Sequence, residues 1–267
     1  MGRAILTAPV RRWRRFRYRR LLRRMAGPRL LRAFAEAYPQ ARFVEIGSND
    51  GSKYDHLREH IVSGAWRGIM VEPVPYVFER LRANYGHLER VALENVAVAD
   101  RDGSLPFYHV AEASEEERAQ LPDWYDTIGS FHREAVASHA SKIPGLEERI
   151  VTTDVPTVTF RTLLERNGYD QVDLVLIDTE GYDAEILATI DFDVHRPRLV
   201  IYEHFHLPAA ERRATRARLE AHGYETMEEG FDTFCLDTRA DDALTRAWRG
   251  LRPAVPGVSA EDERASA

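Results

Sequence analysis

The run Phe43-Val44-Glu45-Ile46-Gly47-Ser48-Asn49-Asp50-Gly51-Ser52 limits what this chain can fold into more than any other segment. A short apolar stretch stops at two glycines four apart, and a polar, helix-compatible stretch follows. Such a pattern predicts a strand that enters a turn where backbone without a Cβ can approach a ligand, followed by a helix whose first N–H groups are free. Glu72 closes the next apolar run 21 residues after Gly51, where Rossmann-type folds place an acid on ribose hydroxyls.

The rest of the chain agrees with that start. From residue 39 short apolar runs alternate with amphipathic stretches, the pattern of a mostly parallel sheet covered by helices on both faces. The fold class is therefore α/β. Strands are expected at Arg42 to Ile46, Gly68 to Glu72, Glu94 to Val98, Leu174 to Asp178 and Arg198 to Glu203, with a closing hairpin from Tyr224 to Met227 and Thr233 to Leu236. Helices are expected at 53–63, 75–85, 159–167, 183–190 and 208–222. The expected organisation is an Arg-rich helical arm over 1–38, one domain over 39–238, and a polar tail over 239–267. Residues 111–149 are rich in Glu, Ser and His without a clear period, and are expected as an insertion or lid over the site mouth.

Charge is divided unevenly along the chain. Residues 1–32 hold twelve arginines and no acid, which leaves 25 basic and 43 acidic side chains in the other 235 residues. The arm lacks the apolar core of a secretory signal, and no apolar run approaches the roughly 18 residues of a membrane-spanning helix. A cytoplasmic protein fits these features. The arm's arginines, interleaved with Trp13, Phe16, Tyr18, Leu21 and Leu22, suit a peripheral membrane surface or another anionic partner, or simply the acidic body itself; nucleic acid is the less expected partner. The single cysteine, Cys235, excludes an internal disulfide and a cysteine zinc site, and is expected as a buried strand residue.

Glu45 lies two residues before Gly47, and its carboxylate suits a cationic ligand portion such as an amino-acid ammonium. A dinucleotide pyrophosphate would not favour that charge, and GxGxxG is absent, so Glu45 and Glu72 favour S-adenosylmethionine over NAD. The chain also resembles the FkbM family of methyltransferases across about residues 40–236. The resemblance rests on Val44 to Gly51, Val71-Glu72-Pro73, Asn95-Val96-Ala97-Val98, Val158-Thr159-Phe160 and Val172 to Asp183 in that order. It implies a Rossmann-like, seven-stranded class I methyltransferase sheet and cofactor contacts from Gly47, Ser48, Asn49, Asp50, Gly51, Ser52, Glu72 and Pro73. Adenine contacts would come from Asn95, Val96 and Ala97. Many members carry a lysine before the Ile-Asp pair of the fourth strand; Leu176 stands there in this chain.

In doubly wound sheets ligands sit beyond the carboxyl ends of the strands. Asp178, Glu180, Glu203 and His204 are accordingly the candidate catalytic residues, Asp178 touching the cofactor as well. Transfer of a methyl group to a hydroxyl needs in-line approach and removal of a proton. His204 could act directly as base, or Asp178 and Glu203 with His204 or Glu180 could hold Mg²⁺ or Mn²⁺. His206, His132 and His109 are weaker candidates, and Thr127 to His132 could approach from the insertion. The resemblance implies a hydroxyl on a sugar, glycan or natural product as acceptor. Two rival readings are a degenerate methyltransferase fold that scaffolds through its Arg-rich arm, and a nicotinamide-dependent oxidoreductase.

Overall fold

A computed structural model describes residues 25–251. Residues 1–24, most of the Arg-rich arm, and 252–267, most of the expected tail, lie outside the described residues.

The principal sheet is built on β1 (Arg42–Ile46), with β2 (Arg67–Val71) and β3 (Val91–Glu94) to one side. To the other side lie β8 (Leu174–Ile177), β9 (Leu199–Glu203), β11 (Asp232–Asp237) and β10 (Tyr224–Glu229). The order is β10-β11-β9-β8-β1-β2-β3, all parallel through β9, after which β11 runs antiparallel to both of its neighbours. Chain order reverses between β1 and β8, so the crevice for a ligand opens at their carboxyl ends.

Side-chain alternation divides the core between the two faces of the sheet. Val44, Ile46, Val175 and Ile177 pack under α7 (Phe160–Arg166), α8 (Asp183–Thr189) and α9 (Ala209–Ala221), contributing Leu163, Leu187 and Leu219. Phe43, Leu174, Leu176 and Ile201 face α2 (Arg58–Ser63), α3 (Pro75–Tyr85) and two flanking helices.

Those flanks depart from the expected boundaries. Helix α1 (Ala26–Ala37) buries Leu30, Leu31 and Phe34 while Arg29 and Arg32 face outward, and Glu229 of β10 accepts its first N–H groups from Ala26 at 2.8 Å and Gly27 at 2.6 Å. Helix α10 (Ala243–Leu251) repeats the pattern with Leu244, Trp248 and Leu251 buried against α1. The packed body therefore begins near residue 26 and reaches 251, rather than spanning 39–238.

The expected strand Glu94 to Val98 is split in two. Asn95 donates to the carbonyls of Glu72 at 2.8 Å and Pro73 at 3.1 Å, and this pulls the chain across the end of β2. Strand β4 (Ala97–Val98) then joins a second sheet with β7 (Ile150–Val158), β5 (Gly103–Val110) and β6 (Gly129–Ser130), in the order β4-β7-β5-β6. Residues 111–149 run out from this sheet and are not irregular throughout. They carry α4 (Glu115–Arg118), α5 (Arg133–Ala137), a 3₁₀ turn at Ser138–Ser141 and α6 (Leu146–Arg149). Val110, Tyr125, Ile128, Val136 and Ile143 give the insertion a small core of its own. Cys235 is buried in β11. Among the described residues no helix is long and apolar enough to cross a membrane.

Candidate active site

The turn after β1 is shaped by contact with the next strand. Gly47 has φ +85, and a Cβ there would lie 1.7 Å from the carbonyl oxygen of Asp178, so only glycine permits the approach of β1's end to that of β8. Asp50 Oδ1 holds the remainder of the turn by accepting from Ser52 N at 2.7 Å and Lys53 N at 3.1 Å. Ser48 Oγ donates to the Glu45 carbonyl and accepts from Val71 N, fixing the loop to β2.

A cleft opens above these ends. Gly47, Asn49, Glu72, Pro73, Ala97 and Asp178 line it. Ser48, Asp50, Gly51, Ser52, Asn95 and Val96 are not on its wall, and several of them hold the wall in place. Glu45 is also behind it. Strand parity turns Glu45 away from the cleft, where it lies buried and hydrogen-bonded to Asp55; burial first, then the Asp55 carboxyl, holds it well above the usual carboxylate range.

Glu72 is 6% exposed and accepts from Asn49 N at 3.0 Å and Val74 N at 2.8 Å. Burial outweighs those two donors and pushes its carboxyl up to about 7. Asn49 Oδ1, on the same wall, is buried without a hydrogen-bond partner. The insertion closes the opposite wall with Asp126 to Gly129 and Phe131, the stretch singled out in the sequence from Thr127 onward. Asp126, which the sequence did not mark, is nearly buried between Lys53 Nζ at 2.7 Å and Arg80 at 2.6 Å, and its carbonyl accepts from Asn49 Nδ2 at 2.9 Å.

At the other end of the cleft Asp178 opens into the space yet is surrounded by protein. Enclosure, followed by Glu180, Asp183, Asp232 and Glu72, holds its carboxyl well above the usual range. The fully buried Asp183, also missed, secures this edge. It accepts from Thr179 Oγ1 at 2.8 Å and from the backbone N of Glu203 at 3.2 Å, tying the β8 turn to the end of β9. Burial raises Asp183 to about 7 despite those donors.

Glu180 has φ +53 and Gly181 φ +100, a turn that sets the Glu180 carboxylate 2.8 Å from His206 Nε2. His139 of the insertion lies 3.8 Å from the same Glu180 oxygen, and Glu203 Oε2 lies 3.9 Å from His206 Nε2. Burial, followed by Asp178 and Glu180, raises Glu203 well above the usual range. The structure thus brings Glu180 and Glu203 together with His206 and His139, and not with His204. His204 is 1% exposed, its Nδ1 is 2.8 Å from Thr233 Oγ1, and burial, then Arg212, lowers it to about 4. Glu203 and His204 are adjacent at a strand end, so their side chains leave opposite faces. The following turn, closed by Leu207 N donating to the His204 carbonyl at 3.1 Å, brings His206 back to the site. His132 and His109 stay outside this cluster, His132 at the surface beside Glu185 and His109 buried with Thr153.

Strand order, the glycine turn on β1 and the acid beyond β2 together define a class I methyltransferase. The methyltransferase FkbM domain matches residues 45–226, and the chain belongs to this family of S-adenosylmethionine-dependent methyltransferases. It is 29% identical over 154 residues to the 2-O-methyltransferase NoeI of Sinorhizobium fredii, covering 56% of this chain and 57% of that one. The chain therefore spans little more than half the length of that relative. Among solved structures it is similar to methyltransferase FkbM from Methylobacillus flagellatus KT at 11% identity and a TM-score of 0.45, over 74% of this chain and 44% of that one. It is also similar to Aeropyrum pernix fibrillarin in complex with S-adenosyl-L-methionine at 11% identity and a TM-score of 0.38, over 73% and 66%.

Proposed function

We propose that this protein transfers the methyl group of S-adenosylmethionine to a hydroxyl oxygen of a small-molecule or glycan acceptor held between the β8 and β9 loops and the insertion. The observation that carries the reading is Asp178. It stands open at the cleft end where the glycine turn meets β8, with a carboxyl held above the usual carboxylate range, the direction that makes it a stronger proton acceptor. The relative that methylates a 2-hydroxyl supports oxygen as the acceptor atom.

The residues present fit the cofactor. Glu72 retains lone pairs toward the cleft after accepting two backbone N–H groups, and suits a ribose diol; the unpartnered Asn49 Oδ1 suits a hydroxyl or ammonium donor. Val98, Phe107, Ile128 and Phe131 supply an apolar wall for a base. When bound, S-adenosylmethionine supplies an electrophilic methyl on a sulfonium. Asp178 accepts the proton of the acceptor hydroxyl, Asp183 holds the turn that presents Asp178, and the insertion excludes water from the cleft. Asp178 and Glu72 face the same space, so a cationic sulfonium would enter a field of opposite, complementary sign.

Native mass spectrometry of the purified protein tests the cofactor assignment through co-purifying S-adenosylmethionine or S-adenosylhomocysteine. Incubation with methyl-labelled cofactor and a panel of glycans and small alcohols tests the acceptor. Label transferred to nitrogen or carbon, and never to oxygen, would overturn the reading.

A further inference from the structure

Outside the cofactor cleft proper, the described residues contain one group of three metal-ligating side chains whose donor atoms all lie within 4.8 Å of one another: His139, Glu180 and His206. They come from three separate elements, the 3₁₀ turn of the insertion, the β8–α8 turn and the loop after β9. Their side chains are mostly buried, between 12% and 15% exposed.

The close contact between Glu180 and His206 at 2.8 Å explains only part of this arrangement. His139 Nε2 and Glu203 Oε2 are buried and have no hydrogen-bond partner, although both face the pair, at 3.8 Å from Glu180 and 3.9 Å from His206. Leaving buried nitrogen and oxygen atoms unsatisfied is costly, and His139 Nε2 beside the Glu180 carboxylate calls for a partner. A proton can bridge one pair of the His139, Glu180 and His206 donors and cannot bridge all three. A divalent ion can: ligands at about 2.0–2.2 Å from a metal stand roughly 3.0–3.5 Å from one another, and these three donors, 2.8 and 3.8 Å apart across Glu180 and all within 4.8 Å, need only a small inward shift.

We propose that His139, Glu180 and His206 form a binding site for a divalent transition-metal ion of the Zn²⁺, Fe²⁺ or Mn²⁺ type, with Glu203 beside His206. Two imidazoles with carboxylates select borderline ions, whereas Mg²⁺ and Ca²⁺ prefer all-oxygen sets. The site differs from a cation held by Asp178 and the ends of the two strands alone, because one ligand comes from the insertion; the ion would fasten the insertion to the sheet edge. Its role in the reaction, lowering the pKa of an acceptor hydroxyl beside Asp178, rests on the methyl-transfer reading above. Binding of the ion does not.

The test uses untagged full-length protein, stripped with chelator and dialysed, titrated with Co²⁺ and followed by visible absorption and calorimetry. One ion per chain is expected, with dissociation constants of micromolar or tighter, no displacement by millimolar Mg²⁺, and displacement by Zn²⁺. His206→Gln and His139→Gln should each weaken binding at least 10-fold, with near-ultraviolet circular dichroism and S-adenosylhomocysteine affinity retained as evidence of folding. Absence of a stoichiometric Co²⁺ site in the wild-type protein overturns the proposal, whether or not the variants fold. So does a site whose affinity is unchanged in both variants. Neither readout involves methyl transfer, so failure of the catalytic reading leaves this test intact.

Discussion

Replacing Glu72 by Gln should separate stability from cofactor binding, and the structure gives both signs. Glu72 sits at about 7 in the folded protein against 4.5 in the unfolded chain, chiefly through burial. The folded state therefore holds its proton to higher pH than the unfolded one. Stabilisation from the neutral carboxyl is complete below pH 4.5 and is lost as the pH rises through 7, a change of about 3 kcal/mol at 1.36 kcal/mol per unit. The Gln variant cannot titrate. It leaves either Asn49 N or Val74 N facing an amide NH₂, a penalty of about 1–3 kcal/mol that does not vary with pH. Urea unfolding of the ligand-free protein should show the wild type losing stability relative to the variant between pH 5 and pH 8.5. S-adenosylhomocysteine binding should move the opposite way. At pH 8 the ionised carboxylate is the better acceptor for ribose hydroxyls, so calorimetry should show the variant weaker by about 1–3 kcal/mol, a factor of roughly 5 to 150. Parallel pH curves for the two proteins, or equal affinity at pH 8, would refute the placement of a strained buried carboxyl on the ribose side of the cleft.

Asp178→Asn removes charge with little change of shape, so cofactor affinity measured by calorimetry should stay near normal while the rate on an accepted hydroxyl falls by roughly 10² or more. Wild-type turnover in that variant would remove Asp178 from proton transfer. Gly47→Ala should lower cofactor affinity at least 10-fold and depress the thermal midpoint sharply, because its Cβ would collide with the Asp178 carbonyl; Gly168→Ala, with φ +72 and open space around it, should cost only about 1 kcal/mol of backbone strain. Thermal scans of the two variants check the contrast, and similar midpoints would show that the turn tolerates a side chain. Deleting residues 1–32 removes buried Leu30 and Leu31 at about 2–5 kcal/mol each and should leave the body unfolded or aggregated. A stable 33–267 fragment would show that α1 is dispensable.

The central sheet was readable from the chain because strand, glycine turn and acid follow one another without interruption; β1 and α3 occupy the expected residues. The flanking helices were hidden for a physical reason. In α1 the apolar stripe of Leu30, Leu31 and Phe34 is interleaved with Arg29 and Arg32, so a charge pattern obscures a buried face. In α10 a stripe of only three large residues lies within a polar stretch. The split after Glu94 depends on a side-chain hydrogen bond from Asn95 to β2, a tertiary contact with no local signature. Site residues divide in the same way. Those on strand ends, Asp178 and Glu203, were identifiable from position. The choice between His204 and His206 depended on a turn, and His139 and Asp126 come from the insertion, whose approach to the sheet is set by folding.

Asp126 joins bodies that the chain order keeps apart. Its carboxylate takes Lys53 from the glycine loop and Arg80 from α3, while its carbonyl takes Asn49, so the insertion is clasped to the loop that would carry the cofactor. Occupancy of one side and closure of the other are then thermodynamically linked. On the methyl-transfer reading, an acceptor held under the insertion would tighten the cofactor by the same factor by which the cofactor tightens the acceptor.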